Sequence, residues 1–166
     1  NMLEQYYAEL VPMLAPVASP MIAHGRMLKR DFTSAAVIYV TTCIARMEEM
    51  QDVRHSTEIN GVLTIWQLLR WLDEAGILPA QCSAEPLLSE GGDLGSMSAV
   101  AGGLLECVEH FLPQHGYRRL VADGLDRCVE ILEELRRGNL KGYVLELCAC
   151  PGGCVGSCSA EEKRSP

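Results

Sequence analysis

Short β-branched apolar runs alternate along this chain with segments of helical period, and that alternation leaves few architectures open. The run Ala35-Ala36-Val37-Ile38-Tyr39-Val40-Thr41 carries no charged residue, as expected of a strand buried on both faces, and leads directly into Thr42 and Cys43. Gly61-Val62-Leu63 and Leu120-Val121-Ala122 repeat the pattern in brief, and Tyr143-Val144-Leu145-Glu146-Leu147 is the last such run. Helical segments lie between them. One is expected over Met2 to Met13, and one opens at Ser19 as N-cap with Pro20 in its first turn. A third is capped by Thr64, has Ile65, Leu68, Leu69 and Leu72 at spacings of three and four, and stops at Gly76. A fourth covers about Ala99 to Leu112 and ends before Pro113. The last runs from Leu125 to Arg137, with Asp123 as a possible cap, Val129, Leu132 and Leu135 facing inward, and Gly138 as its stop. Pro79 to Ser98 has no clear period, and Glu90 to Gly95 reads as a loop. The alternation predicts an α/β fold of mostly parallel β-strands flanked by helices.

At 166 residues, 48% of them hydrophobic and 22% charged, the chain has the balance of one globular domain of ordinary size. A formal net charge of −8 gives no broad basic surface, so nucleic acid is not an expected partner. Charges interrupt every apolar stretch, so membrane insertion is not expected either, and no secretory leader is recognisable. Eight cysteines then read as residues of a reducing, cytoplasmic compartment: metal ligands, reactive thiols or packed apolar groups. Because position 1 is Asn, the sequence is expected to be a piece of something longer.

Four cysteines, Cys148, Cys150, Cys154 and Cys158, crowd the end of the chain around Pro151-Gly152-Gly153. This cluster and Cys43 each come directly after a predicted strand, at the carboxyl edge where open α/β sheets place their ligand sites. Thiolates hold iron-sulfur clusters, and the two glycines allow a tight turn and close approach of an inorganic group. Zinc is the structural alternative, although zinc sites usually draw on two separated cysteine pairs. Cys148 and Cys158 also suit a disulfide or resolving-thiol role, whereas Cys82, Cys107 and Cys128 read as packed apolar thiols. His24, His55, His110 and His115 have no metal spacing, and Glu130, Glu133, Glu134, Arg136 and Arg137 read as the solvated face of one helix.

The run Leu145-Glu146-Leu147-Cys148-Ala149-Cys150-Pro151-Gly152-Gly153-Cys154 resembles the third signature of the FeFe (iron-only) hydrogenases, Glu-x-x-Ala-Cys-Pro-Gly-Gly-Cys. Thr41-Thr42-Cys43-Ile44-Ala45-Arg46-Met47-Glu48-Glu49 is similar to their second, Met-Pro-Cys-x-x-Lys-x-x-Glu. The segments from Asn60 to Ile77 and from Ala101 to Glu106 resemble the family's Asp-x-Val-Leu-Thr and Thr-Gly-Gly-Val-Met-Glu stretches. Leu14 and Ser19-Pro20 are similar to the stretch just past the family's first signature. The resemblance covers residues 1–158, with 159–166 left as a polar tail. It implies a partial catalytic (H-cluster) domain of two α/β lobes around a cluster cleft.

The resemblance further implies a 4Fe-4S cluster with Cys43, Cys150 and Cys154 as ligands, Cys148 or Cys158 as possible extra ligands, and a di-iron subcluster carrying CO, cyanide and a dithiolate. Arg46 stands where a Lys of the family donates to a cyanide, and is the residue the resemblance marks as catalytic. Glu49 occupies the place of the second signature's Glu. The implied activity is reversible proton reduction and dihydrogen oxidation, or sensing of dihydrogen. Ferredoxin or further iron-sulfur domains would exchange the electrons. Departures accompany the likeness: the first signature, with its Ser-Cys-Cys-Pro, is absent, Cys148 and Thr41 replace Met, Thr42 replaces Pro, and Ala15 replaces a Ser of the proton path. These changes resemble the divergent branch assigned to sensing in anaerobes. The alternatives are a non-catalytic 4Fe-4S electron-transfer protein of the hydrogenase-like family and a zinc-stabilised module.

Overall fold

Strands pair in parallel, two by two, and a helix stands between the partners of each pair in sequence. The computed structural model describes residues 2–52, 57–85, 95, 97–112 and 116–157. Its helices are α1 (Met2–Tyr6), α2 (Pro20–Asp31), α3 (Ala45–Gln51), α4 (Ile65–Glu74), α5 (Gly103–Val108) and α6 (Leu125–Arg136). Its strands are β1 (Ile38–Thr41), β2 (Gly61–Thr64), β3 (Arg118–Asp123) and β4 (Tyr143–Cys148). The described residues within Val17–Leu88 form one compact unit, and those within Asn1–Pro16 and Ser89–Ser157 form another. The mixed helix and strand composition with parallel pairing is the class the sequence predicts.

In the unit within Val17–Leu88, the Ser19 hydroxyl accepts from the Ile22 N–H at 3.3 Å and Pro20 occupies the first turn, so α2 starts where its residues predict. It buries Met21 and Ile22 against Val37, Ile59 and Val62. β1 and β2 run in register from Ile38 opposite Gly61 to Thr41 opposite Thr64. β1 departs from expectation: it begins at Ile38, and it is not buried on both faces. Val37 and Tyr39 pack on the core while Ile38 is 51% exposed, because strand side chains alternate and this core lies on one side of the pair. Thr64 and Gln67 form a reciprocal capping box that opens α4. The apolar Ile65 and Leu69 of that helix are exposed, contrary to the inward stripe its spacing suggests.

In the other unit, the expected first helix breaks in two. α1 ends at Tyr6 and a 3-10 segment, Ala8–Met13, comes next, with Pro12 lacking the N–H that a longer α-helix would need. β3 and β4 pair from Arg118 opposite Tyr143 to Asp123 opposite Cys148. α6 packs Cys128, Ile131 and the fully buried Leu132 inward, with Leu120, Leu140, Leu145 and Leu147 against one side and Tyr7 and Leu10 against another. Val129, expected inside, is 36% exposed: the buried stripe of α6 is centred between Cys128 and Leu132 and leaves Val129 at its rim. The opposite face pairs Arg127 with Glu130, Arg136 with Glu133 and Arg137 with Glu134, a solvated face as expected. α5 is shorter than its expected span, since the residues before Gly103 are engaged elsewhere.

Among the described residues, no helix is long and apolar enough to cross a membrane. Pro113, Cys158, the tail over 159–166, His55, His115 and, apart from Gly95, the expected loop over Glu90–Gly95 lie outside the described residues.

Candidate functional site

Two chain segments carry the cysteines singled out by the sequence, one in each unit. In the unit within Val17–Leu88, β1 ends at Thr41, whose hydroxyl accepts from the Cys43 N–H at 3.0 Å. This turn directs the chain out of the sheet, and the Arg46 N–H then donates to the Cys43 carbonyl at 3.2 Å as α3 begins. The Arg46 guanidinium makes an ion pair through Nη1 with Glu49 Oε2, one turn along the same helix. Burial works against the charge of Arg46. The hydrogen bond and negative charge of Glu49, with smaller contributions from Tyr39 and Cys43, nonetheless raise its pKa. Cys43, Arg46 and Glu49 are all half-buried.

The other segment begins where β4 ends. The Cys148 carbonyl accepts from the Gly124 N–H at 3.0 Å and from the Cys128 thiol at 3.3 Å, which ties the strand's end to the start of α6. Then Cys150-Pro151-Gly152-Gly153 closes on itself, the Gly153 N–H donating to the Cys150 carbonyl at 3.0 Å. Proline second and a glycine at φ +75° third is the pattern of a type II turn. Gly153 is needed for space as well as conformation, for a Cβ there would lie 2.5 Å from the Ala101 nitrogen. That contact exists because the loop docks on the strip preceding α5: Val100 and Gly153 form an antiparallel bridge, the Ala101 N–H donates to Gly152 O at 3.1 Å, and the Val155 N–H donates to Ala99 O at 3.2 Å. Cys154 then opens a 3-10 turn that ends at Gly156.

Cys148, Cys150 and Cys154 are half-buried, and all seven described cysteines stand as thiols. The donor chemistry therefore fits iron-sulfur ligation at Cys43, Cys150 and Cys154. Cys148 is a different thiol. Burial first, then the charge of Glu146 and the hydrogen bond to it, push its pKa to about 12. Its Sγ lies 3.7 Å from Glu146 Oε1, where the thiol donates its proton. In this structure the Cys148 thiol is thus protonated and hydrogen-bonded to a carboxylate. Among the described residues, no group of three or more His, Cys, Asp or Glu side chains is gathered so as to hold a single metal ion. Cys128 is buried as a packed thiol should be, but Cys82 is exposed after the short 3-10 turn Pro79–Gln81, correcting the expectation for that residue; Cys107 is intermediate.

Two carboxylates escaped sequence reasoning. Asp123 is no helix cap: Gly124 takes the N-cap position of α6, and the Asp123 carboxylate accepts instead from the Gly152 N–H. Glu146 is 7% exposed within β4 and accepts from the N–H groups of Gly102 and Leu105 at 3.0 and 2.8 Å. The second was detectable in principle, since a charge inside the apolar run Tyr-Val-Leu-Glu-Leu must find donors when buried. Nothing in the sequence tells Asp123 from an ordinary cap.

The sequence model of the family described as iron only hydrogenase large subunit, C-terminal domain, matches residues 1–158. The periplasmic Fe hydrogenase large subunit of Nitratidesulfovibrio vulgaris is 22% identical over 197 aligned positions, covering 92% of this chain and 47% of that protein. An apo FeFe hydrogenase variant from Chlamydomonas reinhardtii superposes with a TM-score of 0.68 at 17% identity, covering 99% of this chain and 60% of that one. An FeFe hydrogenase structure concerned with stepwise H-cluster assembly gives 0.67 at 18% identity with the same coverage. The chain thus spans about half the length of the curated relative it matches. With its matched residues running from the first position through the cysteine loop, this chain belongs to the iron-only hydrogenase large subunit, C-terminal domain family.

Proposed function

We propose that this chain is a cluster-binding domain in which Cys43, Cys150 and Cys154 hold a 4Fe-4S cluster. The observation that carries the reading is the cysteine loop itself: Cys150 and Cys154 flank a glycine turn docked by backbone hydrogen bonds, so both thiols leave a fixed scaffold. When bound, such a cluster with a di-iron subcluster supplies electron transfer and the making or splitting of dihydrogen.

The chain's own residues orient and exclude. The Thr41 hydroxyl and the first turn of α3 set the direction of Cys43. Glu49 engages Nη1 of Arg46, and a guanidinium has five N–H donors with which to steady a diatomic ligand. Glu146 accepts a hydrogen bond from the Cys148 thiol, and Cys150 and Cys154 are the loop's metal donors. A ferredoxin-like carrier or further iron-sulfur domains would exchange electrons with the cluster, in a cytoplasmic compartment reducing enough to keep the thiols reduced. Reversible proton reduction and dihydrogen sensing draw on the same residues.

The test is iron, acid-labile sulfide and zinc content of anaerobically purified chain before and after reconstitution, with an infrared spectrum over the region where metal-bound CO and cyanide absorb. Iron and sulfide bound through Cys43, Cys150 and Cys154 are expected, with loss on Cys150→Ser or Cys154→Ser. Iron and sulfide without diatomic bands would limit the chain to a 4Fe-4S electron-transfer role. Zinc in their place overturns the reading.

A further inference from the structure

We infer that Glu146 is the positioning residue of the cysteine loop, a carboxylate that fixes the strip carrying the loop to the strand that releases it. The inference rests on the reading of Cys150 and Cys154 as metal donors, and adds what holds them in place.

A carboxylate at this depth in an apolar strand is costly unless donors surround it. Among the described residues, its hydrogen-bond partners are the Gly102 N–H, the Leu105 N–H and the Cys148 thiol. The two amides belong to the opening of α5, a helix of six residues whose N-cap, Gly102, has no side chain to satisfy them. Glu146 supplies that cap from 44 residues away in sequence. The strip immediately before, Ala99 to Ala101, is the surface on which Gly152, Gly153 and Val155 dock.

The cysteine loop is therefore held at both ends of one frame. At one end β4 runs covalently into Cys148 and Cys150, and at the other the loop lies on the strip. Glu146 joins strip to strand, so the position of Cys154 relative to Cys150 depends on it. Close packing leaves the strip little room to shift: a Cβ on Gly103 would meet the Met97 carbonyl oxygen at 1.8 Å.

The experiment compares the whole chain with its Glu146→Gln and Glu146→Asp variants. Amide hydrogen exchange is read by NMR before iron loading, and iron and sulfide uptake with the electronic spectrum after it. In Glu146→Gln the Gly102 and Leu105 amides are expected to exchange at least about tenfold faster, as loss of hydrogen bonds to a charged acceptor implies. Ala101 and Val155 should respond in the same direction, while Leu132 in α6 keeps its protection. Loaded iron should fall and its spectrum change. Glu146→Asp, one methylene shorter, should lie between, and decides the matter by the same comparison if the Gln variant does not fold.

Equal acceleration at Leu132 would mean that Glu146 merely stabilises the unit, and no acceleration anywhere would mean that it holds nothing; either overturns the inference. If the strip amides respond selectively while even the unaltered chain takes up no iron, the cluster reading falls and the positioning of the loop stands.

Discussion

Asp123 Oδ2 accepts from the backbone N–H of Gly152 at 2.5 Å across 29 residues of chain, so the last residue of β3 pins the turn beyond β4. Parallel pairing creates the opportunity, because Asp123 and Cys148 are register partners and both strands end at the same edge. Asp123→Ala should cost about 1 kcal/mol, since the bond is made to a charged but exposed acceptor. Urea unfolding would measure the loss, and faster exchange of the Gly152 amide would locate it. An unchanged Gly152 amide would mean that the turn holds without its pin.

The two glycines of the cysteine turn should differ sharply. Gly152 has φ +75° with open space where a methyl would stand, so Gly152→Ala carries only the left-handed penalty of roughly 1–2 kcal/mol. At Gly153 the methyl would press on the Ala101 nitrogen, the Ala99 oxygen and the Val100 carbon, all backbone, at 2.5 to 2.9 Å. Gly153→Ala should therefore cost at least roughly 3 kcal/mol, the upper end for a strained backbone position before the clash is added. Paired denaturation curves test the ranking, which equal losses would refute.

Cys148 should be the slowest of the half-buried thiols to react with iodoacetamide near neutral pH. Its neutral form is favoured by burial, by the Glu146 charge and by the hydrogen bond to Glu146, so its pKa sits at about 12 in place of an ordinary 9.0. The sign is that of a raised acid: protonation favours the fold, and the advantage is lost as pH climbs from the ordinary value through about 12. Its thiolate fraction at neutral pH is then about a thousandfold below that of an ordinary thiol. Mass spectrometry of alkylated peptides would read the order, and Glu146→Gln should speed labelling of Cys148.

The Arg46–Glu49 pair should contribute modestly and respond to salt. Both side chains are about a quarter exposed and one helical turn apart, so Glu49→Gln should lower stability by about 0.5–1 kcal/mol. Thermal unfolding at low and at molar salt checks it: the difference between the two proteins should shrink as salt rises. A difference that is insensitive to salt would assign the loss to packing instead.

Local chemistry made much of the fold legible in advance. Ser19-Pro20 and the Thr64–Gln67 capping box mark helix starts that depend only on residues within one turn, and both stand where their sequence places them. Cys150-Pro151-Gly152-Gly153 specifies its own turn for the same reason: proline presets one backbone angle and glycine permits the next. The strands, too, announce themselves as short apolar runs, Val37 to Val40, Gly61 to Leu63, Leu120 to Ala122 and Tyr143 to Leu147, the last interrupted by Glu146.

Tertiary packing decided the rest. Which side of β1 meets a core depends on where α2 packs, so Ile38 is exposed while Val37 is not. The roles of Asp123 and Glu146 depend on partners 29 to 44 residues distant, and no periodicity encodes a hydrogen bond of that range. Sequence by itself determined most of the strands, the helices opening at Ser19-Pro20, Thr64 and Leu125, the parallel class, the cysteine turn and the family signatures, because these arise from backbone preferences and side-chain spacing. Only the folded chain decided which carboxylates fasten the turn and which cysteine is spent on a carboxylate, because burial and distance exist only once the strands have paired.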